Sequence, residues 1–223
     1  MSQRLILFVV MSVASISGTY CQDYRAEFQV NAMFSGVTSD YDYLPTAKDH
    51  ADRYLLIDAR TFGVQSKVLF NLSKKVLLGV TALSGRSSTG RLKTYPGAVN
   101  PGSAIINSQQ QQIGAELQWS TSRYKRFIFY SHFNATWLNF KDEVTGFDES
   151  VGFQPGARYV YKRSGLGGGV GIGFMLKITR NIKFNIADLY IHFYDSPLSY
   201  DLQQSIQAAT ISSGLTINFL RKK

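Results

Sequence analysis

The sequence is poor in cysteine and proline. It contains one cysteine, Cys21, and 5 prolines in 223 residues. A single cysteine excludes an intrachain disulfide and any cysteine-based metal cluster. After the N-terminal segment, no apolar run approaches the ~20 residues that a membrane-spanning helix requires. A stable fold must therefore come from a large cooperative sheet or core.

The one long apolar run lies at the N-terminus, in MSQRLILFVVMSVASISGTYCQ. Arg4 precedes it, and small and polar residues follow it, which is typical of a secretory signal peptide. We therefore expect residues 1–21 to be the signal and residues 22–223 to be the mature domain. A buried N-terminal helix should be amphipathic, whereas this run is apolar all round. Lipid anchoring through Cys21 is a further alternative, which the bulky Tyr20 before it disfavours.

Composition favours β structure. The chain has 13 tyrosines and 15 phenylalanines, residue types that are enriched in strands. Its formal net charge of +9 would suit a protein that binds nucleic acid, but export argues against such a partner. We therefore predict no nucleic-acid partner, and the placement of the charges becomes the informative feature.

Alternation of apolar and polar residues runs through the mature chain. In YRAEFQVNAMF, residues 24–34, every second residue from Tyr24 to Phe34 is apolar, and the intervening ones include Arg, Glu, Gln and Asn. This period places the two sets on opposite faces of a strand. The alternation changes register near Ala187, which requires a β-bulge. The predicted strands are 24–34, 54–71, 76–83, 109–119, 126–140, 166–178, 182–194 and 206–219.

Short and long connections alternate between these strands. The short ones are 72–75, 120–125 and 179–181, and the long ones are about 35–53, 84–108, 141–165 and 195–205. Outer-membrane barrels are built in this way, with short periplasmic turns and long extracellular loops. A soluble barrel such as a lipocalin has mostly short hairpins and usually carries disulfides, and its solvent face holds more Lys and Glu. The pattern predicts an all-β fold, an eight-stranded antiparallel up-and-down transmembrane β-barrel.

The last predicted strand carries the most specific motif. In SSGLTINF, residues 212–219, a polar residue and a glycine are followed by apolar residues at alternate positions, namely Ser212, Gly214, Ile217 and Phe219. Residues 22–223 resemble the small eight-stranded outer-membrane barrels of Gram-negative bacteria, of the OmpA and OmpX type, and the hairpins look most like those of the Bacteroidetes. The resemblance implies a location in the outer membrane of a Gram-negative bacterium. It also implies that the barrel assembly machinery reads this strand, although family members commonly end at the aromatic residue and this chain continues with LRKK.

The glycine-rich stretch GLGGGVGIGF, residues 165–174, lacks the spacing of a phosphate-binding loop. Its alternation places Val170 and Ile172 on the lipid face and Gly167, Gly169, Gly171 and Gly173 on the lumen face. Glycine on the concave face of a narrow barrel permits tight coiling and leaves room for large neighbours. We therefore predict a structural role, with Tyr130 or His132 filling part of that room.

Catalytic chemistry is not expected. Some barrels of this size are lipid A-modifying hydrolases with a His-x-Ser motif, which YSHFNA, residues 130–135, resembles. Two residues after His132, however, stands Asn134, which is no nucleophile, and Ser131 must face the opposite side. We predict no enzyme activity, no cofactor and no metal site.

Charged residues on the polar faces should line the lumen as compensating pairs, because an unpaired buried charge is very costly. The predicted lumen network is Arg25, Glu27, Lys67, Glu116, His132 and Lys177. The short turns and the tail carry a second set, a predicted basic periplasmic rim, comprising Lys74, Lys75, Arg123, Lys125, Arg126, Arg180, Lys183, Arg221, Lys222 and Lys223.

Three functions fit this sequence. The first is a closed or narrow scaffold in contact with outer-membrane lipids, whose long loops or basic rim do the work. The second is a transport module for small solutes or ions. The third is an accessory subunit of an outer-membrane secretion or assembly machine, with a periplasmic or secretion-complex partner on the rim.

Overall fold

The computed structural model describes residues 25–42, 54–73, 75–87, 90–95, 105–121, 126–145, 158–195 and 205–220. The predicted signal peptide and the tail after Leu220 lie outside the described residues. No helix in the described part of the chain is long and apolar enough to cross a membrane. The strands are β1 Arg25–Asp42, β2 Tyr54–Asn71, β3 Val76–Ser87, β4 Gly90–Tyr95, β5 Ile105–Ser120, β6 Phe127–Thr145, β7 Arg158–Lys177, β8 Ile182–Asp195 and β9 Ser205–Leu220.

These strands form one closed antiparallel barrel. Strand β1 pairs with β2 on one side and with β9 on the other, which closes the sheet. Strand β4 pairs with β2 beyond the point where β3 ends, so that β3 and β4 together make one wall strand. The nine segments therefore build eight barrel strands, and the predicted eight-stranded barrel is confirmed.

The strands are longer than the alternation predicted. Residues 35–42, 84–87, 90–95 and 105–108 lie in strands, although the sequence predicts long loops there. The same holds for residues 141–145 and 158–165. The predicted strands end where the outward residues cease to be apolar. This is the level at which the barrel wall leaves the hydrocarbon layer of the membrane. Backbone pairing continues past that level, because it does not depend on what the side chains face.

The predicted register change in the seventh strand is confirmed. The pairing of β8 with β9 is interrupted between Asn185 and Asp188, on either side of Ala187. Before the interruption Lys183 and Asn185 face the barrel interior, and after it Asp188 does so. A bulge of this kind re-aims side chains, and here it brings a carboxylate inward.

The outer face is apolar over a defined height. In β6 the exposed or half-exposed outward residues from Phe127 to Trp137 are mostly aromatic or small, and Asn139 follows them. This stretch matches the ~9–11 residues that a membrane strand needs. A soluble protein rarely exposes so large an apolar surface. The barrel therefore faces lipid with its outside, as predicted.

The glycine stretch of β7 is structural, as predicted, and its space is occupied by neighbouring side chains. A Cβ on Gly173 would overlap the ring of Tyr130. A Cβ on Gly171 would overlap His132 and lie 2.6 Å from Cβ of Tyr190. Strand β7 thus supplies empty positions that the large residues of β6 and β8 fill.

Substitution of Gly171 by Ala should therefore destabilise the barrel by about 1–3 kcal/mol, the usual cost of overpacking. Gly168→Ala is the matched control on the same strand, because its Cβ would meet only a backbone oxygen at 3.7 Å. Urea titration of the folded barrel, followed by heat-modifiable gel mobility, measures both. Equal stability of the two variants would contradict this packing.

Candidate functional site

The centre of the barrel interior holds a compact charge cluster. Lys67 on β2 places Nζ 2.9 Å from Oε1 of Glu116 on β5 and 2.9 Å from Oδ2 of Asp188 on β8. All three side chains have zero accessible surface. One ammonium group thus bridges two carboxylates that come from different sides of the barrel.

His132 on β6 completes this central cluster. Its Nε2 lies 2.8 Å from Oδ1 of Asp188, and its Nδ1 lies 3.8 Å from Oε2 of Glu116. A carboxylate only accepts hydrogen bonds, so Nε2 must donate to Asp188.

A second pair of charges lies inside the barrel nearer the short turns. Nζ of Lys183 is 2.7 Å from Oε1 of Glu27, and both side chains are 4% exposed. The placement of Lys183 at the periplasmic rim is therefore wrong. Lys183 follows the 179–181 turn closely, but the register of β8 before the bulge points it inward.

Neutral polar side chains surround the charges. Gln65 accepts hydrogen bonds from Asn31 at 3.1 Å and from Ser212 at 3.2 Å. The hydroxyl of Tyr130 donates to Asn185 at 3.1 Å. Such contacts satisfy many polar groups of the interior, as buried polar groups require, whereas Oε2 of Glu116 and Nδ1 of His132 have no hydrogen bond among the described residues.

Apolar side chains occupy both ends of the interior. Towards the short turns these are Leu69, Leu77, Ile128 and Met175, and towards the long connections they are Val37, Ala59, Ile106, Leu138, Phe140, Val144 and Ala208. All of them are at most 2% exposed. A water-filled channel would leave its lining accessible, so these levels of the interior are filled. Sequence reasoning missed this, although inward alternation of Leu138 and Phe140 was a readable signal.

The structure brings part of the predicted lumen network into contact. Lys67, Glu116 and His132 meet in the central cluster, whereas Glu27 pairs elsewhere with Lys183. Lys177 is half-buried, and the side chain of Arg25 lies outside the described residues. Sequence reasoning left out Asp188 and His192, which the bulge in β8 turns inward. His192 places Nε2 2.6 Å from Oδ1 of Asn134.

The predicted rim is only partly described. Lys75, Arg126 and Arg180 are exposed at the short-turn end of the barrel. Apart from Lys183, which points into the interior, the remaining predicted members lie outside the described residues, and they are Lys74, Arg123, Lys125, Arg221, Lys222 and Lys223.

The four residues of the predicted assembly motif share the last strand but not one face. Ile217 and Phe219 are exposed on the lipid side, and Ser212 is buried in the interior. A Cβ on Gly214 would overlap the backbone oxygen of Val30 on β1. Glycine at this position therefore has a packing reason, since it allows β9 and β1 to approach where the barrel closes.

Metal-binding groups are not assembled here. Among the described residues, no three His, Cys, Asp or Glu side chains are placed so that they could hold a metal ion. In the central cluster the ammonium of Lys67 occupies the position between the carboxylates.

Comparison with known proteins supports the fold. No family model matches the chain, and no curated protein sequence matches it. The crystal structure of Neisserial surface protein A is similar with a TM-score of 0.52 at 12% identity, over 87% of this chain and 97% of that one. OprG from Pseudomonas aeruginosa gives 0.49 at 12% identity, over 88% and 95% of the two chains. Ail of Yersinia pestis gives 0.47 at 10% identity, over 87% and 99%.

The first of these likenesses, together with the closed barrel itself, establishes the fold. The chain folds as a small eight-stranded β-barrel of the outer-membrane type. At 12% identity the likeness concerns the fold alone, and a fold does not by itself fix a function.

Replacement of Lys67 by Met should destabilise the barrel strongly. It leaves Glu116 and Asp188 without their shared cation, and breaking a buried pair typically costs about 3–5 kcal/mol. The half-buried Lys177→Met is the matched control and should cost far less. Adding Glu116→Gln and Asp188→Asn to Lys67→Met should restore much of the loss in a urea titration. A Lys67→Met barrel as stable as the wild type would contradict the cluster.

Proposed function

We propose that the protein is a closed scaffold of the outer membrane of a Gram-negative bacterium, with its long connections on the outside. The filled interior is the observation that carries the proposal. Buried charges, paired at the centre and again nearer the short turns, lie among buried apolar and neutral polar side chains, and these side chains are almost inaccessible to water. Such an interior stabilises a membrane protein without providing a path for solutes.

The location rests on three features that agree. The N-terminal segment has the layout of a signal peptide, the outer face is apolar over one membrane thickness, and the fold is of the outer-membrane type. Among spanning structures, only helices and closed barrels satisfy all backbone groups in lipid. Lipids of the outer membrane are therefore the first partners of this protein.

We also propose that the barrel is not an enzyme. His132 and Asp188 are hydrogen-bonded as a base and its orienting carboxylate would be, but both are fully buried. A substrate has no access to them, and Asn134 stands on the same face where a nucleophile would be needed. The hydrogen bond between His132 and Asp188 is explained by their contacts with Lys67 and Glu116 in the central cluster.

Wild-type protein in a planar bilayer should give no steady open-channel current, because the interior is filled. The variant with Tyr130→Ala and Tyr190→Ala removes two aromatic side chains from the interior and is the positive control for insertion. It should pass more current than the wild type if it folds, which heat-modifiable mobility checks. A steady current through the wild type would contradict the closed scaffold and favour the transport alternative.

Insertion would involve the barrel assembly machinery. The terminal strand offers the motif that this machinery reads in proteins the chain resembles, with Ile217 and Phe219 exposed on the lipid side. Gly214 contributes through its close approach to β1 rather than through a side chain.

The short-turn end would contact the inner leaflet through its basic residues. Exposed Lys75, Arg126 and Arg180 lie at this end, with no described acidic residue in the short turns. Such residues bind anionic head groups with about 1 kcal/mol each, and they also keep turns in the interface by snorkelling. An acidic periplasmic partner is the other occupant that this charge would suit.

Thermal unfolding in liposomes separates these accounts. With Lys75→Gln, Arg126→Gln and Arg180→Gln combined, the stability gained from phosphatidylglycerol should fall by up to about 3 kcal/mol at low salt. The same variant in phosphatidylcholine is the control and should match the wild type. Equal gains for variant and wild type would exclude lipid binding and leave only snorkelling or a protein partner.

A further inference from the structure

Three parallel rows of side chains cross the outer surface of β3, β5, β6 and β7. Residues within a row are direct cross-strand partners, and each row lies two residues further along the strands than the last. The first row is apolar and consists of Ala82, Ile113, Trp137 and Leu166. The second is polar and uncharged, with Ser84, Gln111, Asn139 and Ser164. The third, the basic row, contains Arg86, Gln109, Lys141 and Lys162.

The order of the rows places the basic row at the level of lipid head groups. The first row ends the apolar band, so it marks the edge of the hydrocarbon layer. Four residues of strand span about 13 Å, and a barrel strand tilts by about 35–45°. The basic row therefore lies roughly 10 Å above that edge, within reach of head groups for long side chains that bend back towards the membrane.

The charge on this face is mostly positive. Lys141 and Lys162 are direct cross-strand partners, an arrangement that destabilises a sheet unless an anion lies between the charges. Among the described outward residues of these four strands, the single acidic one is Glu143. It is in contact with Lys141, and its Oε2 lies 2.6 Å from a guanidinium nitrogen of Arg158.

Glu143 is therefore shared between two cations. Hydrogen bonds from Lys141 and then from Arg158 hold the pKa of Glu143 below its ordinary value. Its carboxylate stays charged and compensates part of this face, but the described cations still outnumber it. The face retains a positive excess next to the membrane edge.

We infer, resting on the outer-membrane location proposed above, that the basic row binds the phosphate-bearing head group of a lipid in the leaflet at the long-connection end. Arg86, Lys141 and Lys162 supply the charge that attracts phosphate. The uncharged row beneath them offers hydroxyl and amide groups to the sugar or ester part of the head group. Trp137 and Leu166 lie below these and contact the acyl chains, which favours a lipid over a soluble anion.

Titration of the folded barrel in maltoside detergent with lipid A tests this site. Lipid A is an acylated disaccharide that carries phosphate monoesters, and native mass spectrometry counts the lipid retained. Arg86→Gln combined with Lys162→Gln should weaken binding by roughly thirtyfold, or about fivefold for each cation. The matched control is Arg86→Lys with Lys162→Arg, which alters the same two positions but keeps both charges in the row. It should change binding far less, because the attraction to phosphate depends on these charges.

Three results would overturn the inference. They are equal losses in the two double variants, equal binding of lipid A after removal of its phosphates, and displacement of lipid A by inorganic phosphate at matched concentration. The last would identify a soluble anion as the ligand. If the row variant fails to fold, Gln109→Glu provides the second test. It puts a carboxylate in the middle of the exposed row and should also weaken binding, so unchanged binding would overturn the site.

Discussion

Compensation of the Lys67 charge is the constraint on which the rest of the barrel depends. An ammonium with no accessible surface must find partners, and it finds Glu116 and Asp188 at 2.9 Å each. Both carboxylates can reach it only because the wall closes into a narrow barrel. Asp188 also needs the bulge in β8, which turns it from the lipid side to the interior. A local irregularity in one strand is thus required by an ion pair that spans 121 residues of sequence.

The narrow barrel sets a second requirement, because its interior must hold aromatic and imidazole rings from several strands at one level. Strand β7 meets it by presenting glycine where β6 and β8 present Tyr130, His132 and Tyr190. Gly214 has the same role where β9 meets β1, because a side chain there would overlap the backbone of β1. Since the interior is filled in this way, the described parts that remain open to partners are the outer face and the two ends. The proposal of a closed scaffold follows, because partners can bind only to these outer surfaces.

The sequence allowed the fold and the orientation of most side chains to be predicted, because alternation states directly which residues share a face. The sequence could not give the position of each residue along the barrel axis or its partner across the interior. The closeness of Lys183 to a turn predicts a place on the rim, although Lys183 pairs with Glu27 inside the barrel. The inward direction of Asp188 depends on the bulge, so alternation alone does not predict it. The predicted strands end too early, because outward residues such as Asn139 become polar where backbone pairing still continues the strand.

The central claim is that water does not reach the middle of the barrel, and thiol labelling tests it most directly. In a chain expressed from residue 22 onwards, which lacks Cys21, a single cysteine can replace Ser212, which is 2% exposed, or Ser84, which is exposed on the outer face. A small charged methanethiosulfonate reagent should label Ser84→Cys readily in the folded barrel. It should label Ser212→Cys only after the barrel is unfolded. Comparable labelling of the two folded variants would show a hydrated interior and contradict the account.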